Sequence, residues 1–263
     1  VGRDLVHHCV NDILVQGATP LFFLDYLGAA ALKADVFRDV ARGLCKACRT
    51  NDCVLLGGET AEMPGLYPRG EYDLVGTIVG AVRKTDLVTG EKVRAGDVLI
   101  GLPSTGLHTN GYSLARKVIF DAAGLGVHDT FPGTKRRVVD VLLAVHRSYI
   151  KPILALRTQV SIQAMAHITG GGLIDNLPRV LPKGLDACVN GASWTPPAVF
   201  RFIEQAGRVD SKEMYRVFNM GIGFVAIVRP SAAEKAMATL KSVRAGARII
   251  GRIETGKGRV RMS

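Results

Sequence analysis

Three stretches of the chain combine glycine with small polar residues as a phosphate-binding backbone requires. They are residues 57–60 (Gly57, Gly58, Glu59, Thr60), residues 104–113 (with Gly106, His108, Asn110, Gly111 and Ser113) and residues 169–172 (with Gly170, Gly171 and Gly172). Glycine lets backbone N–H groups approach an anion closely, and the start of a following helix adds a favourable dipole. One such loop is weak evidence, because tight turns also need glycine. Three in one chain point to phosphate binding. None fits G-x-x-x-x-G-K-[ST] or G-x-G-x-x-G after a strand, so the site belongs to another class. Carboxylates at Asp12, Asp25, Glu59, Glu62 and Asp73 are candidate metal ligands. Magnesium with a nucleotide needs only one or two carboxylates beside phosphate oxygens and water. Glu59, in a Gly-Gly loop at a strand end, and Asp12, on the edge of an apolar helix, are favoured over Asp25 and Asp73. A surface charge or a helix cap is the plain alternative for each. His108 either binds phosphate or works as an acid or base, or else is a hydrogen-bonded loop residue. His167 reads as structural, and His7, His8, His128 and His146 have no supporting context. No Gly-x-Ser-x-Gly elbow, His-Glu-x-x-His or Cys/His nucleophile pair is present.

The elements that must position these residues alternate between helix and strand. Residues 3–16 and 35–49 carry apolar residues at helical spacing. Residues 21–24 form an apolar strand ending at Asp25 and Tyr26, and residues 54–56 form a short strand running into the 57–60 loop. Residues 72–83 alternate glycine with β-branched residues, which fits a strand close to other backbone. The texture turns polar over residues 84–96, and a domain boundary is placed there, giving domains 1–84 and 85–263. In the second domain residues 97–102 are a strand and residues 112–123 a helix. Residues 138–156 are a longer helix kinked at Pro152, and residues 173–181 are a short one. Residues 199–206 are helical, residues 217–228 a strand, and Ser231-x-x-Glu234 a capping box before another helix. Residues 248–262 are terminal strands. Such alternation predicts an α/β (α+β) fold.

At 263 residues, with 48% hydrophobic and 22% charged residues, the chain can bury a real core, and disorder is excluded. No apolar stretch is long enough for a transmembrane helix. The five cysteines form an odd set, which argues for a reducing cytoplasm rather than a disulfide scaffold. Cys45-x-x-Cys48 has zinc or redox spacing, but without a second pair these residues read as small apolar fillers on a helix. The net charge of +11 is uneven: −1 over residues 1–84 and +12 over residues 85–263. A basic half attracts nucleic acid, membrane or a phosphorylated small molecule. Aromatics are only 6% and form no base-stacking run, and a solvated basic surface stands beside phosphate binding as the plain alternative.

Several long motifs resemble one family. They are residues 9–18 (CVNDILVQGA), 20–26 (PLFFLDY), 57–65 (GGETAEMPG), 106–114 (GLHTNGYSL), 167–172 (HITGGG) and 176–182 (NLPRVLP). Met214-Tyr215-Arg216-x-Phe218-Asn219-x-Gly221-x-Gly223 completes the set. They are similar, essentially end to end, to phosphoribosylformylglycinamidine cyclo-ligase, the aminoimidazole ribonucleotide synthetase family of purine biosynthesis. The resemblance implies a two-domain α/β fold whose second domain is an α/β sandwich. It implies a cytoplasmic homodimer, built through an ATP-binding first domain, with no nucleic-acid or membrane partner. It also implies ATP-dependent closure of formylglycinamidine ribonucleotide to aminoimidazole ribonucleotide. Asp12 and Glu59 would hold Mg2+ and, with Gly57, Gly58 and Thr60, the ATP phosphates. His108 and Asn110 would be catalytic. Gly106, Gly111, Ser113, Gly170, Gly171 and Gly172 would face the cleft and the substrate. The family carries a further Gly-Thr-Asp-Gly-Val-Gly-Thr-Lys loop ahead of the position of Val1, so the first domain is expected to be incomplete here. Two alternatives are another enzyme of the same ATP-binding superfamily, such as thiamine-phosphate kinase, and a basic RNA-binding module.

Overall fold

The computed structural model describes residues 1–263 as two compact units, Val1–Leu87 and Val88–Ser263. No helix is long and apolar enough to cross a membrane.

The first unit is one sheet backed by two helices. Helix α1 (Gly2–Leu14) buries Val6, Val10 and Leu14, and α2 (Ala34–Thr50) buries Val40, Leu44, Ala47 and Cys48. These are the stripes that helical spacing predicts. Strand β1 (Thr19–Ala29) lies between β2 (Val54–Glu62), which is parallel to it, and β3 (Tyr72–Ala81), which is antiparallel. Two expectations change here. Strand β1 runs past Asp25 and Tyr26 to Ala29. Residues 57–60 are not a loop: they extend β2, with Gly57, Gly58, Glu59 and Thr60 aligned with Leu24, Asp25, Tyr26 and Leu27. A bulge between Phe23 and Leu24 resets the register, and pairing with β1 then holds the Gly-Gly segment extended.

The second unit is built on a six-stranded sheet. It contains β4 (Val98–Pro103), β5 (Ile162–His167), β6 (Leu185–Val189), β7 (Ile222–Val228), β8 (Arg248–Thr255) and β9 (Val260–Met262), in the order β5-β7-β4-β8-β6-β9. Every residue of β7 is buried. Its continuous apolar run is that of a strand covered on both faces. Leu99, Ala164, Val225, Ile227 and Ile253 share one core with Leu173 and Leu177. A second core gathers the helical segments α3 (Tyr112–Arg116), α4 (Val138–Leu142), α7 (Ala198–Gly207) and α8 (Ser211–Val217).

The helix expected over residues 138–156 is two helices, α4 and α5 (Ile150–Arg157). Between them the chain is unrolled by tertiary hydrogen bonds. Arg147 donates to the Ala245 carbonyl at 2.8 Å and Tyr149 to that of Pro103 at 3.0 Å. Pro152 falls in the first turn of α5, where a missing N–H is harmless. Helix α6 (Gly172–Asn176) continues as a 3-10 turn, Leu177–Val180. Strand β7 starts at Ile222 rather than 217, because α8 occupies residues through Val217. Helix α9 (Pro230–Ser242) has Arg229 as its N-cap and Pro230 at the first position, so Ser231 lies inside the first turn and the capping box is not formed.

Candidate active site

In the first unit, Asp12 is on α1, exposed, with a carboxylate oxygen 3.2 Å from His8 Nε2. Glu59 is an exposed residue of β2 whose Oε1 accepts the Thr60 N–H at 2.9 Å. Helix α1 packs on the sheet face that carries Gly76 and Gly80: a Cβ at Gly76 would lie 3.0 Å from Leu5, and one at Gly80 would lie 2.5 Å from Ile13. Asp25 aligns with Gly76 and shares that face, whereas Glu59 aligns with Tyr26 on the other. Asp12 and Glu59 are therefore not gathered into one carboxylate pair. A Cβ on Gly58 would come 2.6 Å from Asp25 Oδ1, so glycine makes room for that carboxyl, whereas Gly57 has open space around it. Burial pushes the Asp25 carboxyl above its usual range, opposed by its backbone hydrogen bond.

In the second unit, β4 empties into the loop of residues 104–111 and β5 into that of residues 169–171. A helix follows each: α3 after Gly111 and α6 after Gly171. Buried Asn219 ties the first loop down. Its Nδ2 donates to the Gly106 carbonyl at 2.9 Å, and its Oδ1 accepts Ser104 Oγ and the Gly221 N–H, each at 2.8 Å. Buried Asn176 does the same for the second loop, donating to the carbonyls of Gly170 at 3.1 Å and Gly172 at 2.8 Å. The loops meet where a Cβ on Gly170 would come 3.3 Å from Asn110 Oδ1.

At Gly111, Gly171 and Gly172 packing also calls for glycine. A Cβ on Gly111 (φ +78°) would come 2.2 Å from the Phe218 ring. One on Gly172 (φ +56°) would come 2.0 Å from the Tyr215 carbonyl oxygen. Both the left-handed backbone and the close approach require glycine at these two positions. A Cβ on Gly171 would meet Asp175 at 2.7 Å. Ser113 is exposed in the first turn of α3.

His108 is 3% exposed, with φ +60°. Its Nε2 accepts the Thr105 N–H at 3.1 Å, which puts the ring hydrogen on Nδ1 in the neutral form. The ring stacks on His146 with centroids 4.0 Å apart. His146 Nε2 lies 3.1 Å from His167 Nε2, so one donates and the other accepts. The Tyr112 hydroxyl reaches the carbonyls of His108 at 3.0 Å and Leu142 at 2.6 Å. Burial pushes the Tyr149 phenol far up, with Arg147 opposing, so Tyr149 stays a donor. His146, Asn176 and Asn219 are supports that single-residue reading missed. Asn176 and Asn219 do fall inside the long motifs, whereas nothing local marks His146.

Residues 1–82 match the N-terminal domain of AIR synthase related proteins, and residues 94–263 match the C-terminal domain. A phosphoribosylformylglycinamidine cyclo-ligase of Thermoanaerobacter pseudethanolicus is 48% identical over 260 residues, covering 99% of this chain and 77% of that protein. The chain belongs to the phosphoribosylformylglycinamidine cyclo-ligase family. Another member, from Geotalea daltonii, is 48% identical over 253 residues, covering 96% of this chain and 73% of its own length. Hydrogenase maturation protein HypE, solved in complex with ATP, has the same fold, with a TM-score of 0.74 at 21% identity, covering 99% of this chain and 75% of that one. Within the cyclo-ligase family frame, the motif loops 104–111 and 169–172 are adjoining surfaces of one domain, each anchored by a buried asparagine.

Proposed function

We propose that the chain catalyses ATP-dependent ring closure of formylglycinamidine ribonucleotide to aminoimidazole ribonucleotide, releasing ADP and phosphate. The observation that carries this reading is 48% identity, over 99% of the chain, to a relative named for that reaction. ATP activates the formamide oxygen, the amidine-side nitrogen attacks the formyl carbon, and the oxygen leaves with the phosphate. Such chemistry asks the protein chiefly for positioning and charge stabilisation.

Each unit offers surfaces suited to this task. In the first, Asp12 and Glu59 present exposed carboxylates, the hard oxygen donors that magnesium takes. Either one serves beside phosphate oxygens and water. Magnesium, when bound, neutralises phosphate charge. The open backbone at Gly57, with Gly58 and Thr60 on the same strand, is assigned to the ATP phosphates. In the second unit Gly106, Gly111, Ser113 and Gly170, Gly171 and Gly172 are assigned to the ribonucleotide. Half-buried Asn110, beside Gly170, is assigned the direct polar contact. Buried His108 is assigned to holding that loop from behind, through the Thr105 N–H and the stack on His146.

A cytoplasmic homodimer completes the reading. Phe22 aligns with Val54 on one side and Val79 on the other. That row lies on the sheet face away from α1, with Val54 59% and Val79 36% exposed, and a second copy would cover it. Oxygen-labelled formamide substrate tests the chemistry. The label is expected in the released phosphate, and label released to water instead would refute the proposed activation.

A further inference from the structure

The end of α2 closes in a Schellman turn. The Cys53 N–H donates to the Cys48 carbonyl at 2.9 Å, the Asp52 N–H donates to that of Arg49 at 3.4 Å, and Asp52 takes φ +53°. This cap folds the residue just past the helix back against the last turn, where the two side chains touch. Here both are cysteines, at the two positions that this cap brings together. Both are buried, whereas Cys45, one turn earlier, is exposed.

We infer that Cys48 and Cys53, rather than Cys45 and Cys48, form a latent disulfide that fastens the end of α2 to the start of β2. A disulfide needs Cα atoms ~4.4–6.8 Å apart, and a cap closed by this backbone hydrogen bond already holds its ends at about that approach. The co-reactant is a hydroperoxide. The Cys53 sulfur, as thiolate, attacks the peroxide O–O bond and becomes a sulfenic acid, and the peroxide's other oxygen leaves as water or alcohol. The Cys48 sulfur then displaces the sulfenic hydroxyl, which leaves with the Cys48 proton as water, and the S–S bond forms. Two thiols lose two electrons, and the peroxide gains them. Burial pushes the Cys48 thiol up to about 12 and raises that of Cys53, so thiolate is scarce at neutral pH. The pair therefore answers sustained oxidant rather than a brief pulse. In a reducing compartment such a bond is transient. It would tether the strand that carries Gly57, Gly58 and Glu59.

Trypsin separates the candidates, because Lys46, Arg49 and Arg69 flank the cysteines. The full chain is held in hydrogen peroxide, alkylated and digested without reduction. The expected product joins residues 47–49 to residues 50–69, separates with dithiothreitol, and is absent from Cys53→Ser. Cys48→Ala gives the same check should Cys53→Ser fail to fold. A link between residues 43–46 and 47–49 would overturn the assignment. So would Cys48 and Cys53 both remaining alkylatable after Cys45 is fully oxidised.

Discussion

Replacing Asn219 with alanine should release the 104–107 loop while leaving the sheet intact. The side chain makes hydrogen bonds at 2.8, 2.8 and 2.9 Å to Ser104, Gly221 and Gly106, and is 3% exposed. At roughly 1 kcal/mol net per bond, truncation costs about 3 kcal/mol. With a urea m-value of about 2 kcal/mol/M, the unfolding midpoint falls by ~1.5 M. Trp194 is the sole tryptophan, and its indole N–H donates to the Met220 carbonyl at 2.8 Å, next in sequence to the substitution. Its fluorescence therefore reports the transition locally. Ser104→Ala is the internal comparison. It removes a half-buried hydroxyl whose one hydrogen goes to Asn219 at 2.8 Å, and should cost only about 1 kcal/mol. The same Asn219→Ala protein should show weakened ribonucleotide binding, because Gly106 loses its anchor. An Asn219→Ala midpoint shift no larger than that of Ser104→Ala would refute the idea that Asn219 holds the loop.

Other substitutions probe the neighbouring parts. Gly172→Ala should lower the melting temperature steeply, since its Cβ would sit 2.0 Å from the Tyr215 carbonyl at φ +56°. Gly170→Ala meets only Asn110 Oδ1 at 3.3 Å, so it should keep the melt and weaken ribonucleotide binding. Calorimetry showing parental affinity would take Gly170 out of the substrate loop. Glu59→Gln should weaken magnesium-ATP binding about tenfold, or ~1.4 kcal/mol, and unchanged nucleotide affinity would remove Glu59 from the metal site. Hydrogen bonds from Cys188, Arg252 and Arg261 hold the Glu254 carboxyl down from 4.5 to about 2. A depressed folded value stabilises above the unfolded one, so this contribution is complete above about 4.5 and disappears as pH falls toward about 2. Urea midpoints of Glu254→Gln should fall less than the parent's across that window, and parallel curves would contradict the assignment.

What could be read from the sequence depended on whether local physics or tertiary pairing decided the structure. Helices α1 and α2 follow from apolar spacing, and β7 from its unbroken apolar run. The loops at 104–111 and 169–171 were legible because glycine and polar residues there end a strand and precede a helix. Residues 57–60 were not, because Gly-Gly disfavours a strand by itself and only alignment with β1 makes it one. Nor was the break at 143–149: the periodicity runs on, but Arg147 and Tyr149 find partners elsewhere that outweigh another turn of helix. That same unrolled segment carries His146 to His108 and His167, a contact no spacing encodes.

The most direct test of the account is phosphate release from magnesium-ATP by this chain, measured with and without formylglycinamidine ribonucleotide. The account predicts release that depends on the ribonucleotide and matches the aminoimidazole ribonucleotide formed. Release at the same rate without it, or none from the folded chain with both present, would contradict the proposed activity.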